Sequence, residues 1–327
     1  MIYLDYAATT PIDSRVFDAM LPYFTENFGN PSSTHRYGQK AEAAVETARE
    51  TIAAVLHCRP AEVIFTSCGS ESDNLALRGV ALARREQTGA NWILTARAEH
   101  HAVSKTAEHL EKQDGFRVEW LEVDEFGRVQ PEALEKAICK ETALVSVMYS
   151  NNEIGTVNPI RAITEVCRKH GVPLHTDAVQ AAAYLPVDVD ALGVDLLSLG
   201  AHKFYGPKGI GALYIRKGTP IQPILTGGGQ EFGLRAGTHN VPLIVGLAEA
   251  LRLADVEREE RAARLQPLRD TIIATVLKEI PDSRLTGHPV ERVPNHASFV
   301  FKDVDGNLLL NLLDGAGFAC SSGSACK

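Results

Sequence analysis

The sequence predicts an α/β fold in which a largely parallel sheet is covered by helices on both faces, with a smaller α+β unit closing the chain. Three observations carry that expectation. From residue 63 onward, short apolar runs alternate with segments of helical period, the pattern of parallel strands joined by crossover helices. The 327 residues exceed the length at which one core stays undivided, so two units are expected. A long helical region beginning near Val241 separates the alternating part from the end of the chain.

In order, residues 3–5 read as a short strand or extended arm, and residues 7–11 as a turn into a helix over 14–25. FGNPSSTHRY, residues 28–37, is too rich in turn formers to be an element. Ala41, Ala44, Val45, Ala48, Ile52, Val55 and Leu56 recur at helical spacing. Strands are then expected over 63–66, 92–95, 117–121, 144–148 and 173–177. Helices between them run over 70–83, with Ser70 and Asp73 spaced as a capping box, then 102–112 and 131–138, the last opened by proline. Ile160, Ile163, Val166 and Cys167 mark the inner face of the next.

The stretch 195–211, DLLSLGAHKFYGPKGIG, begins as a buried strand and breaks at Gly200 into a loop dense in Gly and Pro, which delivers Lys203 to a strand terminus. After GGGQEFGLRAGTHN comes the long helical region, charged all round over 255–264, with Pro267 expected to kink or break it. A strand over 297–301, a helix over 306–313 and a last strand entering Cys320 complete the chain. The division expected is residues 14–246 as the large unit, with 1–13 and 247–327 as the small one.

Composition narrows the function. An apolar fraction of 45% and a charged fraction of 23% are those of an ordinary globular protein. A net charge of -8 without a basic block argues against nucleic acid as a partner. The N-terminus lacks a signal-peptide pattern and no apolar run has membrane length, so the expectation is a cytoplasmic protein with no membrane contact. Six scattered cysteines do not form a secreted disulfide framework, and Cys320 and Cys326 lack the spacing of a zinc site, so no metal is expected.

Ser70, His100, Asn152, Asp177 and Lys203 come from five segments, each following an expected strand, and the carboxyl ends of such strands line one crevice. Singly, each has an ordinary reading as a cap, a turn residue or a solvated lysine. Together their chemistry is complementary. Gly69 and Ser70 open a helix and suit a phosphate. Asp177 offers a carboxylate to a pyridine nitrogen, and Lys203 beside His202 an amine for a Schiff base. Phosphate cradle, carboxylate and lysine describe a pyridoxal 5'-phosphate site. No Rossmann fingerprint is present, because GPKGIG follows Lys203 rather than opening a helix. In FACSSGSACK, small residues surround Cys326 and leave its thiol accessible.

YLDYAATTP, FGNPSS, TSCGSESDN, AEHHAV, NNEIG, HTDAVQ, AHKFYGPKGIGALY, GGGQEFGLRAGT and SSGSAC, from Tyr3 to Cys326, resemble in sequence and order the NifS/IscS-like cysteine desulfurases. The resemblance implies a homodimeric fold type I pyridoxal phosphate enzyme with a mostly parallel seven-stranded sheet. It implies that Lys203 binds the cofactor, that His100 stacks on its ring and shuttles protons, and that Asp177 pairs with the pyridine nitrogen. It likewise implies Gln180 at the ring hydroxyl with Asn152 beside it, and Gly69, Ser70, Gly200 and His202 around the phosphate. Thr238 is similar to the residue that reaches the neighbouring subunit's phosphate, and Cys326 to the nucleophile that accepts sulfur from L-cysteine. A sulfur-acceptor protein such as an iron-sulfur scaffold would be the onward partner.

Three departures accompany the resemblance. Gly200 stands where many relatives carry a phosphate-binding serine. Cys68 replaces a common glycine, which is expected to demand a different backbone there. The relatives continue for several dozen residues beyond this cysteine, with an arginine that clamps the substrate carboxylate, and a chain without it is expected to bind substrate weakly. A selenocysteine lyase or class V aminotransferase that dispenses with Cys326, and an inactive cofactor-bound scaffold, are the other readings.

Overall fold

The structure, a computed structural model, describes residues 1–323. In chain order its elements are β1 (Ile2–Tyr3), α1 (Ser14–Met20), α2 (Pro22–Thr25), α3 (Arg36–Leu56), β2 (Val63–Thr66), α4 (Gly69–Thr88), β3 (Trp92–Ala96), α5 (His101–Asp114) and β4 (Arg117–Leu121). There follow α6 (Pro131–Ala137), β5 (Thr142–Ser146), α7 (Ile160–His170), β6 (Leu174–Asp177), α8 (Val189–Leu192), β7 (Leu196–Gly200) and β8 (Gly211–Ile215). The remainder is α9 (Val241–Val256), α10 (Arg258–Glu279), β9 (Ser283–Leu285), β10 (Phe299–Phe301), α11 (Gly306–Gly315) and β11 (Phe318–Ala319).

The central sheet has seven strands in the order β2-β8-β7-β6-β5-β3-β4, and only β8 runs against the rest. Successive residues of its strands feed opposite cores. Val63 and Phe65, Leu94, Val145, Leu197 and Leu199 pack with Val16, Ile52, Leu56, Leu247 and Leu251 from α1, α3 and α9. Ile64, Ile93, Leu144, Leu196 and Leu213 pack with Leu75, Leu77 and Val80 of α4 and Val103 and Leu110 of α5. Burial on both faces is why these strands read as continuous apolar runs. Outside this sheet, β1 pairs in parallel with β11 and β9 antiparallel with β10. Among the described residues no helix is long and apolar enough to cross a membrane.

The α/β expectation holds, with instructive differences. The helix expected over 14–25 is two, divided at Leu21 where Pro22 starts a new first turn. Pro267 does not end its helix, since α10 runs through it with Leu265 and Ile272 carrying an apolar stripe on either side. The interruption falls earlier, at Glu257, whose carboxylate takes Arg15 Nη1 at 2.6 Å and Arg261 Nη2 at 3.0 Å. The capping box at Ser70 is absent: Cys68 is the N-cap, without a side-chain bond, and Asp73 is buried. Cys68 itself is extended, φ -174° and ψ 171°, a conformation open to any residue, so replacing glycine there imposes no special backbone.

Candidate active site

The strand β7 delivers Ala201, His202 and Lys203 as a short 3-10 turn at its carboxyl end. The N-terminal segment closes over that turn. Thr10 donates from both its backbone N–H and its hydroxyl to the His202 carbonyl, each at 2.9 Å, and Tyr205 N–H donates to Thr10 Oγ1 at 2.8 Å. Lys203 Nζ donates to the carbonyls of Ala7 and Ala8, the latter at 3.0 Å. The AATT run thus fixes the lysine head, and this role was not evident from the sequence. His202 Nδ1 lies 3.1 Å from Thr9 Oγ1, and burial, with Lys203 nearby, pushes the ring down to about 4, so it is neutral at pH 7.

Asp177 ends β6, buried, with Oδ1 taking the Val179 N–H at 2.8 Å. Burial raises its pKa, opposed by that N–H and by the charges of His100 and Lys203. His100 caps α5 through Nδ1, which accepts the Ala102 N–H at 3.1 Å. That bond places the proton of the neutral ring on Nε2. Burial lowers its pKa, against the pull of Asp177. His100, Asp177 and Asp73 each bring one polar atom within 4.8 Å of the others. Asn152 lines a cavity of about 380 Å³ together with His100, His101, Trp120 and Glu153.

The phosphate side is built by close approach. Gly69 and Ser70 occupy the first turn of α4, where backbone N–H groups lack intrahelical acceptors. A Cβ on Gly200 would stand 3.4 Å from Gly69 N and 3.2 Å from Val179 Cγ1, so the strand end faces the helix amide directly. A Cβ on Gly69 would meet Val179 Cγ2 at 2.6 Å. Gln180 is buried, and its Oε1 has no hydrogen-bond partner among the described residues. Thr238 is exposed on the glycine-rich loop after Gly237. Cys326 lies outside the described residues.

Beneath Asp177 is a layer that sequence reasoning missed. His175 is fully buried between Ser146 Oγ and Ser198 Oγ, each 2.9 Å from a ring nitrogen, and its Nε2 is 3.5 Å from Asp73 Oδ1. Burial pushes His175 down to about 3 and lifts Asp73 well above the carboxylate range, with Asp177 adding to the latter. Burial thus works against an ion pair at the close His175–Asp73 approach. Glu99, buried and bonded through Oε1 to the Met148 N–H at 2.8 Å, is raised likewise by burial and by Asp177. The signal lay inside the quoted motifs: Asp73 in TSCGSESDN, Glu99 in AEHHAV and His175 in HTDAVQ.

A pyridoxal phosphate molecule fits this set. The unpartnered Gln180 oxygen and the buried Asp177 carboxylate match a ring hydroxyl and a pyridine nitrogen. The α4 amides facing Gly200 match the phosphate, and Lys203 matches the aldehyde.

Comparison with known proteins agrees. The aminotransferase class-V family model matches residues 2–327. A cysteine desulfurase IscS from Dictyoglomus turgidum is 49% identical, over 100% of this chain and 82% of its own. A cysteine desulfurase IscS 1 from Archaeoglobus fulgidus is 46% identical, over 100% of this chain and 84% of its own. Among solved structures, a NifS-like protein superposes with a TM-score of 0.93 at 41% identity, covering 97% of this chain and 86% of that one. A structure of SspA in complex with cysteine gives 0.85 at 37%, covering 99% and 90%. With its fold, its lysine turn and its acid-lined pocket, the chain belongs to the aminotransferase class-V family and, within it, to the pyridoxal phosphate-dependent cysteine desulfurases.

Proposed function

We propose that the chain converts L-cysteine to L-alanine and carries the sulfur away as a persulfide on Cys326. The observation that carries the residue assignment is the meeting of Lys203, His100 and Asp177 at the carboxyl edge of the sheet beside the first turn of α4. Asp177, Gln180, Gly69, Ser70, Gly200 and His202 would hold the cofactor, with Asn152 at the substrate side.

When bound, pyridoxal phosphate supplies an electron sink for charge developing at the substrate α-carbon. Lys203 would hold it through the Nζ amine and, once released, would take up the substrate α-proton. Asp177 would face the ring nitrogen with its carboxylate and favour the protonated ring. His100 moves protons through Nε2. The Cys326 thiolate attacks the substrate sulfur: an S–S bond forms, the Cβ–S bond breaks with its electron pair staying on carbon, a proton from His100 goes to Cβ, and the proton held by Lys203 returns to Cα to complete alanine.

The exposed Thr238 and the exposed Phe17, Phe24, Phe28 and Tyr37 support a homodimer. Free thiols at Cys58, Cys68, Cys139, Cys167 and Cys320 among the described residues support a reducing, cytoplasmic setting. The persulfide requires an acceptor protein, for which an iron-sulfur scaffold is proposed. Residues 14–246 are proposed as the cofactor-binding unit and 1–13 with 247–327 as the second, a division supported by the β1–β11 pair.

The test is direct. The purified protein should be yellow, borohydride should fix the cofactor to Lys203, and L-cysteine should yield alanine and sulfide. Cys326→Ser should abolish sulfide release and keep the colour. Persistent sulfide from that variant would point instead to a lyase that does not need the thiol, and a protein that stays colourless after reconstitution would refute the cofactor assignment.

A further inference from the structure

The loop that carries Thr238 is held at two points. One is a buried ion pair. Arg49 of α3 donates through Nη1 and Nη2 to Glu231 at 2.9 and 2.8 Å, with side chains 3% and 1% exposed. Arg49 is also stacked on Phe65 and Phe232, 4.7 and 5.1 Å from the ring centres, and donates to the Val63 carbonyl at 2.6 Å. Glu231 takes two further bonds, from Phe65 N–H at 2.7 Å and at His239 Nε2, 2.6 Å away. The other point is Arg235, whose Nε donates to Glu71 Oε1 at 2.8 Å, while Glu71 Oε2 takes the Ser67 N–H at 2.6 Å. Glu71 sits in the first turn of α4, beside Gly69 and Ser70.

Along this loop the backbone is bent in a way that side chains resist. Glu231 and Phe232 are both left-handed, φ 48° and 57°, and Gly237 has φ 120°. Such a bend persists only where surrounding bonds over-determine it, and the four bonds of Glu231 to Arg49, Phe65 and His239 do so. Burial alone would raise the Glu231 carboxyl, yet Arg49 and His239 pull it down to about 2, so Glu231 is ionised beside Arg49 throughout the working pH range. Thr238 is exposed, as is Gly237, between clamped Arg235 and clamped His239.

We propose that Glu231, with Arg49 and His239, is a positioning device that holds the exposed Thr238 hydroxyl in place for the cofactor phosphate of a second copy of this chain. The inference rests on the reading of Thr238 as a phosphate ligand across the dimer. Its consequence is selective: loosening the clamp weakens a ligand that has a phosphate and spares one that lacks it. A merely structural role would weaken both alike.

The experiment titrates apoprotein with pyridoxal phosphate and with pyridoxal, following tryptophan fluorescence, because Trp120 lines the cavity beside His100. His239→Ala leaves the buried Arg49–Glu231 pair intact and is expected to weaken pyridoxal phosphate about tenfold, the scale of one charge-assisted contact, with pyridoxal unchanged. Thr238→Ala should do the same, and the double variant should be no worse than Thr238→Ala alone. Glu231→Gln should reproduce the selective loss. If it fails to fold, His239→Ala alone decides the matter. Equal weakening of both ligands, or full additivity in the double variant, overturns the proposal. A Thr238→Ala variant that keeps the wild-type ratio shows that the reading of Thr238 is what failed.

Discussion

His175 Nε2 lies 3.5 Å from Asp73 Oδ1, and burial lowers the pKa of the first while raising that of the second. A histidine held neutral by burial has a definite signature in acid. Its folded pKa is about 3, against about 6.5 unfolded, so below pH 6.5 the unfolded chain binds a proton that the folded chain refuses. Stability contributed by this site is intact above pH 6.5 and is lost as pH falls toward 3. At pH 5 the loss is about 2 kcal/mol. In urea unfolding of the apoprotein, the drop in stability from pH 7 to pH 5 should be larger for the wild type than for His175→Gln by about that amount. Identical drops would mean that His175 is protonated in the fold.

Asp73 predicts the opposite slope. Its folded pKa is raised, so its contribution is full below the unfolded value near 3.9 and is lost as pH rises through the folded one. An asparagine in its place has no such proton to lose. The apoprotein of Asp73→Asn should therefore melt higher than wild type at pH 8, and the gap should close toward pH 4. A variant less stable at pH 8 than at pH 4, relative to wild type, would indicate an ionised Asp73 paired in the fold.

Both residues belong to stretches whose importance was legible in sequence while their roles were not. The strand and helix alternation was readable because strands buried on both faces are apolar runs, and the Lys203 turn because Gly200 and the Pro/Gly loop interrupt one. Asp73 was misread as part of a cap: Ser70-x-x-Asp73 has the right spacing, but the N-cap lies two residues earlier, at Cys68, and the helix turns Asp73 inward. Strand β8 follows the loop without a signal of its own, and its antiparallel place between β2 and β7 is decided by pairing with residues far away in sequence. Likewise Arg49 and Glu231 are 182 residues apart, so their pairing has no local pattern.

Asp177 should matter more for turnover than for capture. Its carboxylate is the buried acid proposed to meet a pyridine nitrogen; burial raises its pKa, and the Val179 N–H, His100 and Lys203 oppose that rise. Asp177→Asn retains the shape and removes the charge. Cofactor should still be fixed to Lys203 by borohydride, while alanine formation falls about 10²-fold or more, the scale of a positioned acid-base group. Equal turnover at equal cofactor occupancy would remove Asp177 from the chemistry.

Val179 joins the two halves of the site, and this gives a test by compensation. Its N–H holds Asp177 Oδ1 at 2.8 Å, and its two methyl groups fill the space that a Cβ on Gly69 or Gly200 would enter. A methyl at Gly69 would approach Cγ2 to 2.6 Å, well inside contact distance, so Gly69→Ala must displace Val179 at a cost of about 1–3 kcal/mol. At Gly200 the nearest approach is 3.2 Å, which a shift of a few tenths of an ångström relieves. Gly69→Ala is therefore expected to lower both Tm and pyridoxal phosphate affinity, and Val179→Ala in the same chain to restore them. Gly200→Ser should be tolerated with no loss of affinity, since its hydroxyl would join the amide of Gly69. A Gly69→Ala defect that Val179→Ala does not repair would show that the turn needs glycine for its backbone rather than for the room it leaves.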